Sequence, residues 1–173
     1  MTVAKKYSFY ALFHEKFVIL PLHNEKADNS TILIMNQQMK KKKRFILALG
    51  SNCKRERRMA VAKALLEEKL GPMTFTPMVE TNAIGIEATP FLNCLATGES
   101  EMTAKDITLQ LKHVEQACGD KPDLRSGNII MMDIDLLLLG KKRYHTDDWS
   151  RNYIVELMAS VPEIANYISL NIK

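Results

Sequence analysis

A chain of 173 residues, 46% hydrophobic and 25% charged, has room for one domain with a real hydrophobic core, and its composition excludes wholesale disorder. Its net charge of +4 is modest and could come almost entirely from the run Lys40–Arg44, so it says little about the folded surface. Three cysteines, Cys53, Cys94 and Cys118, are an odd number without C-x-x-C spacing; this argues against a disulfide framework or a thiolate zinc site and for a reducing, cytoplasmic setting.

No segment suits a membrane span. The most apolar N-terminal stretch, Tyr7 to Leu22, is broken by His14, Glu15 and Lys16, whereas a spanning helix needs roughly 20 apolar residues. The same charges interrupt the apolar region that a secretory signal requires. The sequence changes character near residue 40. Before it lie an aromatic-rich stretch, a polar patch (His23 to Thr31), a short apolar run (Ile32 to Met35) and the lysines. Residues 1–40 are expected to be an N-terminal extension, weakly ordered or upstream of a true start at Met35 or Met39, and residues 41–173 to form the domain.

Within the domain, Arg44–Leu49 reads as a buried strand, and Gly50-Ser51-Asn52 as a turn in which Ser51 or Asn52 caps the next helix. Met59, Ala62, Leu65, Leu66 and Leu70 recur at helical spacing over Arg55–Leu70, and Gly71-Pro72 ends that helix. Thr74–Thr81 reads as a second strand, which Pro77 confines to an edge or a bulge. A loop with Gly85 and Pro90 leads to a third strand, Phe91–Thr97. Thr103 caps a helix over Ala104–Cys118, with Gly119 as its stop. A loop, Asp120–Asn128, precedes a very apolar strand, Ile129–Leu139. One more helix, Asp148–Ser160, and a short tail complete the chain. The order βαββαβ predicts an α+β, ferredoxin-like sandwich: an antiparallel sheet with helices on one face, plus a C-terminal helix.

The strongest chemical signal is Asp133-Ile134-Asp135 on the last long strand. Residues two apart on a strand share a face, so the carboxylates stand about 7 Å apart, where they would repel each other and be desolvated. A hard dication removes both penalties, and magnesium favours one or two carboxylates with water and phosphate oxygens. Taken alone, the motif also fits an aspartate that faces solvent or pairs with a basic residue.

Asp133 to Leu137 with Gly140 resembles the D-I-D-L-L-x-x-G signature of hydroxymethyl-dihydropterin pyrophosphokinases. Leu49-Gly50-Ser51-Asn52 is similar to that family's L-G-S-N, and Pro90-Phe91-Leu92-Asn93 to its P-F-L-N. Thr81 and Gly85 resemble its T-x-x-x-G, Glu115 and Gly119 its E-x-x-x-G, and His145 and Arg151 its late His and Arg. The resemblance implies Mg2+-dependent transfer of pyrophosphate from ATP to 6-hydroxymethyl-7,8-dihydropterin in folate biosynthesis. By the family pattern, Asp133 and Asp135 hold two magnesium ions against the ATP phosphates, and Arg125 acts as the catalytic loop cation. Glu115 is expected on the adenine or ribose side of ATP, and His145 and Arg151 at its phosphates. Thr81, Phe91, Asn93 and Tyr153 are expected at the pterin, with Asn93 offering donor and acceptor together and the two rings stacking. ATP and a pterin are then the partners of a monomer, without membrane or nucleic acid.

Each of these residues also has a plain structural reading: Asn93 as a turn cap, Phe91 as core, Glu115 as a solvated helix position and His145 as a surface residue. The chain also departs from the family pattern. In the loop before the D-x-D strand, aspartate (Asp120) replaces the first arginine, isoleucine the last and glycine the tryptophan, leaving Lys121 and Arg125 as its cations. The segment from Asp135 to His145 is short, and Asn82 stands where T-P is typical. Two other readings follow: a family member that binds nucleotide or pterin without transfer, and an RNA-binding sheet. The second is disfavoured because the first and last core strands carry no paired exposed aromatics.

Overall fold

A computed structural model describes residues 9–13, 16–20, 41–83 and 88–171, the first two ranges by backbone only. The chain divides into two compact units, Met1–Lys41 and Lys42–Lys173. In the first, β1 (Phe9–Phe13) and β2 (Lys16–Leu20) pair antiparallel, from Phe9 opposite Leu20 to Phe13 opposite Lys16. The polar patch, the apolar run, Met35, Met39 and Gly85 lie outside the described residues.

The second unit runs β3 (Lys43–Ser51), α1 (Arg55–Leu70), β4 (Met73–Phe75), β5 (Val79–Thr81), β6 (Phe91–Ser100), α2 (Ala104–Ala117), α3 (Pro122–Ser126), β7 (Asp133–Leu139) and β8 (Lys142–Arg143). A 3-10 turn (Thr146–Ser150), α4 (Asn152–Ser160) and α5 (Pro162–Asn171) follow. The sheet order is β4-β6-β3-β7-β8, with β5 also on β6, and every pairing is antiparallel. The fold is therefore the expected α+β, ferredoxin-like one, with β3 at its centre.

The continuous apolar run of β3 arises because both of its faces are covered. Phe45, Leu47 and Leu49 meet Met59, Ala62 and Leu66 of α1 and Ile107, Leu111 and Val114 of α2. Ile46, on the opposite face, packs with Leu95, Leu137, Leu138 and the apolar side of α4 and α5, including Ile154, Leu157 and Ile164. The register on β7 jumps from Ile46 opposite Leu138 to Leu47 opposite Leu136, so Leu137 is an extra residue. That bulge turns the consecutive Leu137 and Leu138 into the same core.

Several local expectations change. The helix expected from Asp148 begins at Asn152, after the 3-10 turn, and the expected loop Asp120–Asn128 contains the short α3. The segment Thr74–Thr81 splits into β4 and β5 around Pro77, which cannot donate to a ladder. The last long strand begins at Asp133 rather than Ile129: Asn52 N–H donates to Ile130 O at 3.0 Å and Ser51 Oγ to Met131 O at 2.7 Å, which commits those carbonyls outside the sheet. Ser51 and Asn52 thus serve this segment, and the residue preceding α1, Lys54, makes no side-chain cap. The tail is a helix, α5, which with α4 gives the sheet a second covered face. Thr103 does cap α2, accepting from Asp106 N–H at 3.3 Å.

Candidate active site

The pairing register builds the site. Gly50 of β3 lies opposite Asn93 on one side and Asp133 on the other, and Ala48 lies opposite Asp135. These two small residues in the middle strand leave a trough between Phe91 and Asn93 on β6 and the two aspartates on β7. A side chain at Gly50 would displace the Asn93 amide: its Cβ would stand 2.9 Å from Asn93 Oδ1. The cavity above this floor has a volume of about 240 Å³. Its lining includes Thr81, Phe91, Asn93, Asp133, Asp135, Arg151 and Tyr153. An adjoining cavity of about 470 Å³ runs past Thr81, Arg151 and Tyr153 to Glu156.

Asn93 is 6% exposed, and its Nδ2 donates to Thr81 Oγ1 at 2.8 Å, which leaves one amide N–H and the carbonyl oxygen for a ligand. Asp133 accepts from Arg125 Nη2 at 3.0 Å, with its side chain still 39% exposed. Asp135 has, among the described residues, no arginine or lysine in ion-pair contact; its partner is His145, whose Nε2 lies 3.6 Å from Oδ1. Burial and the neighbouring Asp133 push the Asp135 carboxyl above its usual range. Burial also raises the Tyr153 phenol, despite the Arg151 guanidinium beside it.

Three expected site residues approach from outside the lining. Arg125 is held by Asp120, Nε to Oδ2 at 2.5 Å, and also donates to Met132 O at 3.2 Å. The aspartate that replaces the first loop arginine thus anchors the arginine that remains. His145 touches the site through Asp135. Glu115 is turned inward at 3% exposure, accepting from Ile134 N–H at 2.9 Å and from Lys112 Nζ at 2.7 Å. Burial raises its carboxyl. It is thus neither a solvated helix position nor part of the cavity wall; it braces the strand between the two aspartates.

Asn52, expected only as a cap and as part of the L-G-S-N motif, and Asp148, expected only at a helix start, also shape the site. Asn52 Nδ2 donates to Asn128 O at 2.8 Å, and its Oδ1 accepts from Ile130 N–H at 2.7 Å, pinning the chain that enters β7. Asp148 lines the cavity as a third carboxylate and forms an ion pair with Arg151, Oδ1 to Nη2 at 2.8 Å. Its only signal in the sequence is its place three residues after His145. The cysteines are all free; Cys94 is buried, with its thiol pushed up to about 11.

The family model for 7,8-dihydro-6-hydroxymethylpterin-pyrophosphokinase (HPPK) matches residues 46–163, more than half of the chain. The chain belongs to this family. HPPK enzymes are transferases that pass pyrophosphate from ATP to a hydroxymethylpterin in folate biosynthesis, and the matched range contains the whole cavity lining. No curated protein matches the chain. No described helix is long and apolar enough to cross a membrane.

Proposed function

We propose that this HPPK-family chain catalyses the Mg2+-dependent transfer of the β,γ-diphosphoryl group of ATP to 6-hydroxymethyl-7,8-dihydropterin. The observation that carries the reading is a single cavity lined by a pair of carboxylates, a buried amide with free donor and acceptor, and two aromatic residues.

Magnesium fits the donors present. Asp133 keeps an oxygen beyond its contact with Arg125, Asp135 has no guanidinium or ammonium partner among the described residues, and both face the cavity. Bound there, magnesium supplies charge neutralisation for the ATP phosphates. The pterin hydroxymethyl oxygen bonds to the β-phosphorus while the bond from that phosphorus to the α,β-bridging oxygen breaks. The electron pair leaves with AMP, and the hydroxyl proton is released.

The remaining residues bind and orient. Asn93 takes the pterin edge through its spare N–H and carbonyl, with Thr81 fixing the amide. Phe91 and Tyr153 offer ring faces. Arg151 and Arg125 supply positive charge to the phosphates and His145 a ring N–H, and Arg125 must exchange its contact with Asp133 to do so. Glu115 acts on this reading by holding Ile134 between the metal ligands. The three free cysteines favour a cytosolic setting. An RNA-binding role is disfavoured, because helices cover both faces of the sheet.

Incubation with ATP, MgCl2 and 6-hydroxymethyl-7,8-dihydropterin should release AMP and pterin diphosphate in equal amounts. A second reading, binding without transfer, is favoured by one observation: Arg125 is already engaged by Asp120 and Asp133. Saturable binding of MgATP and pterin with no AMP formed would select it.

A further inference from the structure

Beside the D-x-D pair lies a second constellation. One donor atom from each of Asp135, His145 and Asp148 lies within 4.8 Å of the other two. We propose that these three residues form a site for a transition-metal dication of the Mn2+, Co2+ or Zn2+ class, filled in the absence of nucleotide.

The first argument is geometric. Two donors bound to one cation through bonds of about 2.1 Å stand roughly 3.0–3.6 Å apart, for angles of about 90–120°. The His145 Nε2 to Asp135 Oδ1 separation of 3.6 Å falls at the upper end of that range and is long for a hydrogen bond. Drawing in the third donor from a spread of 4.8 Å needs side-chain adjustments on the order of 1 Å.

The backbone that carries the donors is fixed before any ion arrives. Asp135 is mid-strand on β7. Tyr144 N–H donates to Leu137 O at 2.9 Å, and Trp149 Nε1 to Tyr144 O at 3.0 Å, so the residue that precedes His145 is held at both its N–H and its carbonyl. Asp148 N–H donates to His145 O at 3.0 Å, closing the 3-10 turn that sets the two side chains next to each other. The short connection from Asp135 to His145, a two-residue β8 hairpin, is what returns the imidazole to its own strand.

The charges are arranged for a cation. Asp133, Asp135 and Asp148 all line one cavity. Asp133 is engaged by Arg125; Asp148 gives one oxygen to Arg151 and keeps the other. Asp135 stands between two like charges with only the imidazole beside it among the described residues.

Donor type then separates this site from a magnesium site. Magnesium takes oxygen ligands and keeps its waters, whereas an imidazole with two carboxylates suits Mn2+, Co2+ or Zn2+. Asp133, the other half of the D-x-D pair, is not one of the three donors.

The test uses the full chain, stripped with a chelator and titrated with CoCl2 without nucleotide, following visible absorption and calorimetry. One equivalent should bind without a thiolate charge-transfer band and should resist excess MgCl2. Asp148→Asn and His145→Gln should each weaken Co2+ binding by about 10- to 100-fold, with unchanged circular dichroism, and Asp133→Asn should leave it within about threefold. Absence of saturable binding, a thiolate band, or wild-type affinity in both Asp148→Asn and His145→Gln would overturn the site. Because no ATP or pterin is present, the outcome is separate from that of the AMP assay.

Discussion

Replacing Glu115 by alanine tests how β7, the strand that carries Asp133 and Asp135, is held. The carboxylate accepts from Ile134 N–H at 2.9 Å, and Ile134 is 2% exposed, so no water can take its place without opening the core. Leaving that N–H unpaired costs about 1–3 kcal/mol, and loss of the half-exposed Lys112 contact adds at most about 1 kcal/mol. Relief of the buried charge offsets part of this, so Glu115→Ala should destabilise by about 2 kcal/mol and lower the melting temperature by roughly 6–8 °C. Glu115→Gln keeps an acceptor for Ile134 and should lose far less at neutral pH. The pH dependence has a definite sign. The folded-state pKa is raised above the ordinary value of 4.5, so the group's contribution is fully present below that value and is lost as pH rises through the folded pKa. The advantage of wild type over Glu115→Gln should therefore be greatest below pH 4.5 and shrink toward neutrality. Urea unfolding of the three proteins between acid and neutral pH reads both effects. Glu115→Ala unfolding within about 0.5 kcal/mol of wild type would refute the brace.

Three further outcomes follow from the same geometry. Gly50→Ala places a methyl group 2.9 Å from Asn93 Oδ1, so the amide must leave Thr81; pterin affinity by fluorescence titration should fall about tenfold or more, with a stability loss of about 1–3 kcal/mol. Arg125→Ala removes the cation from Asp120, whose side chain is 9% exposed, and should cost about 2–3 kcal/mol in urea unfolding as well as at least about 100-fold in AMP release. Adding Asp120→Asn should recover the stability and not the turnover, which separates the two roles. Asn52→Ala severs two bonds to the segment before β7 and should lower kcat for AMP release about tenfold or more with little change in the pterin KM, measured by steady-state kinetics.

The core of this fold was legible because its signals are local. The βαββαβ order, α1 from the spacing of Met59 to Leu70, the Thr103 cap and the edge position forced by Pro77 follow from periodicity and turn chemistry. The Asp133-Ile134-Asp135 motif also revealed its shared face through the strand period alone. What escaped depends on partners far away in the chain. Nothing near Ile129 says that Ser51 and Asn52, some eighty positions earlier, take the carbonyls that a strand would have used. Glu115 looks like a surface helix position until β7 is laid against it. Asp148 reads as a helix start, and only the turn after β8 carries it to the aspartates. The role of Gly50 likewise needs the register, since the residue it makes room for, Asn93, lies on the neighbouring strand. The second layer under α4 and α5 was missed because a ten-residue tail of mixed polarity has weak helical periodicity until it finds a sheet to cover.

The most direct measurement is the gain in ATP affinity on adding Mg2+, by calorimetry, for wild type and for the Asp133→Asn, Asp135→Asn double variant. The account predicts that Mg2+ tightens binding at least about tenfold in wild type and leaves the double variant unchanged. An equal gain in both proteins would mean that the ion is held elsewhere, and would contradict the role given to the two aspartates.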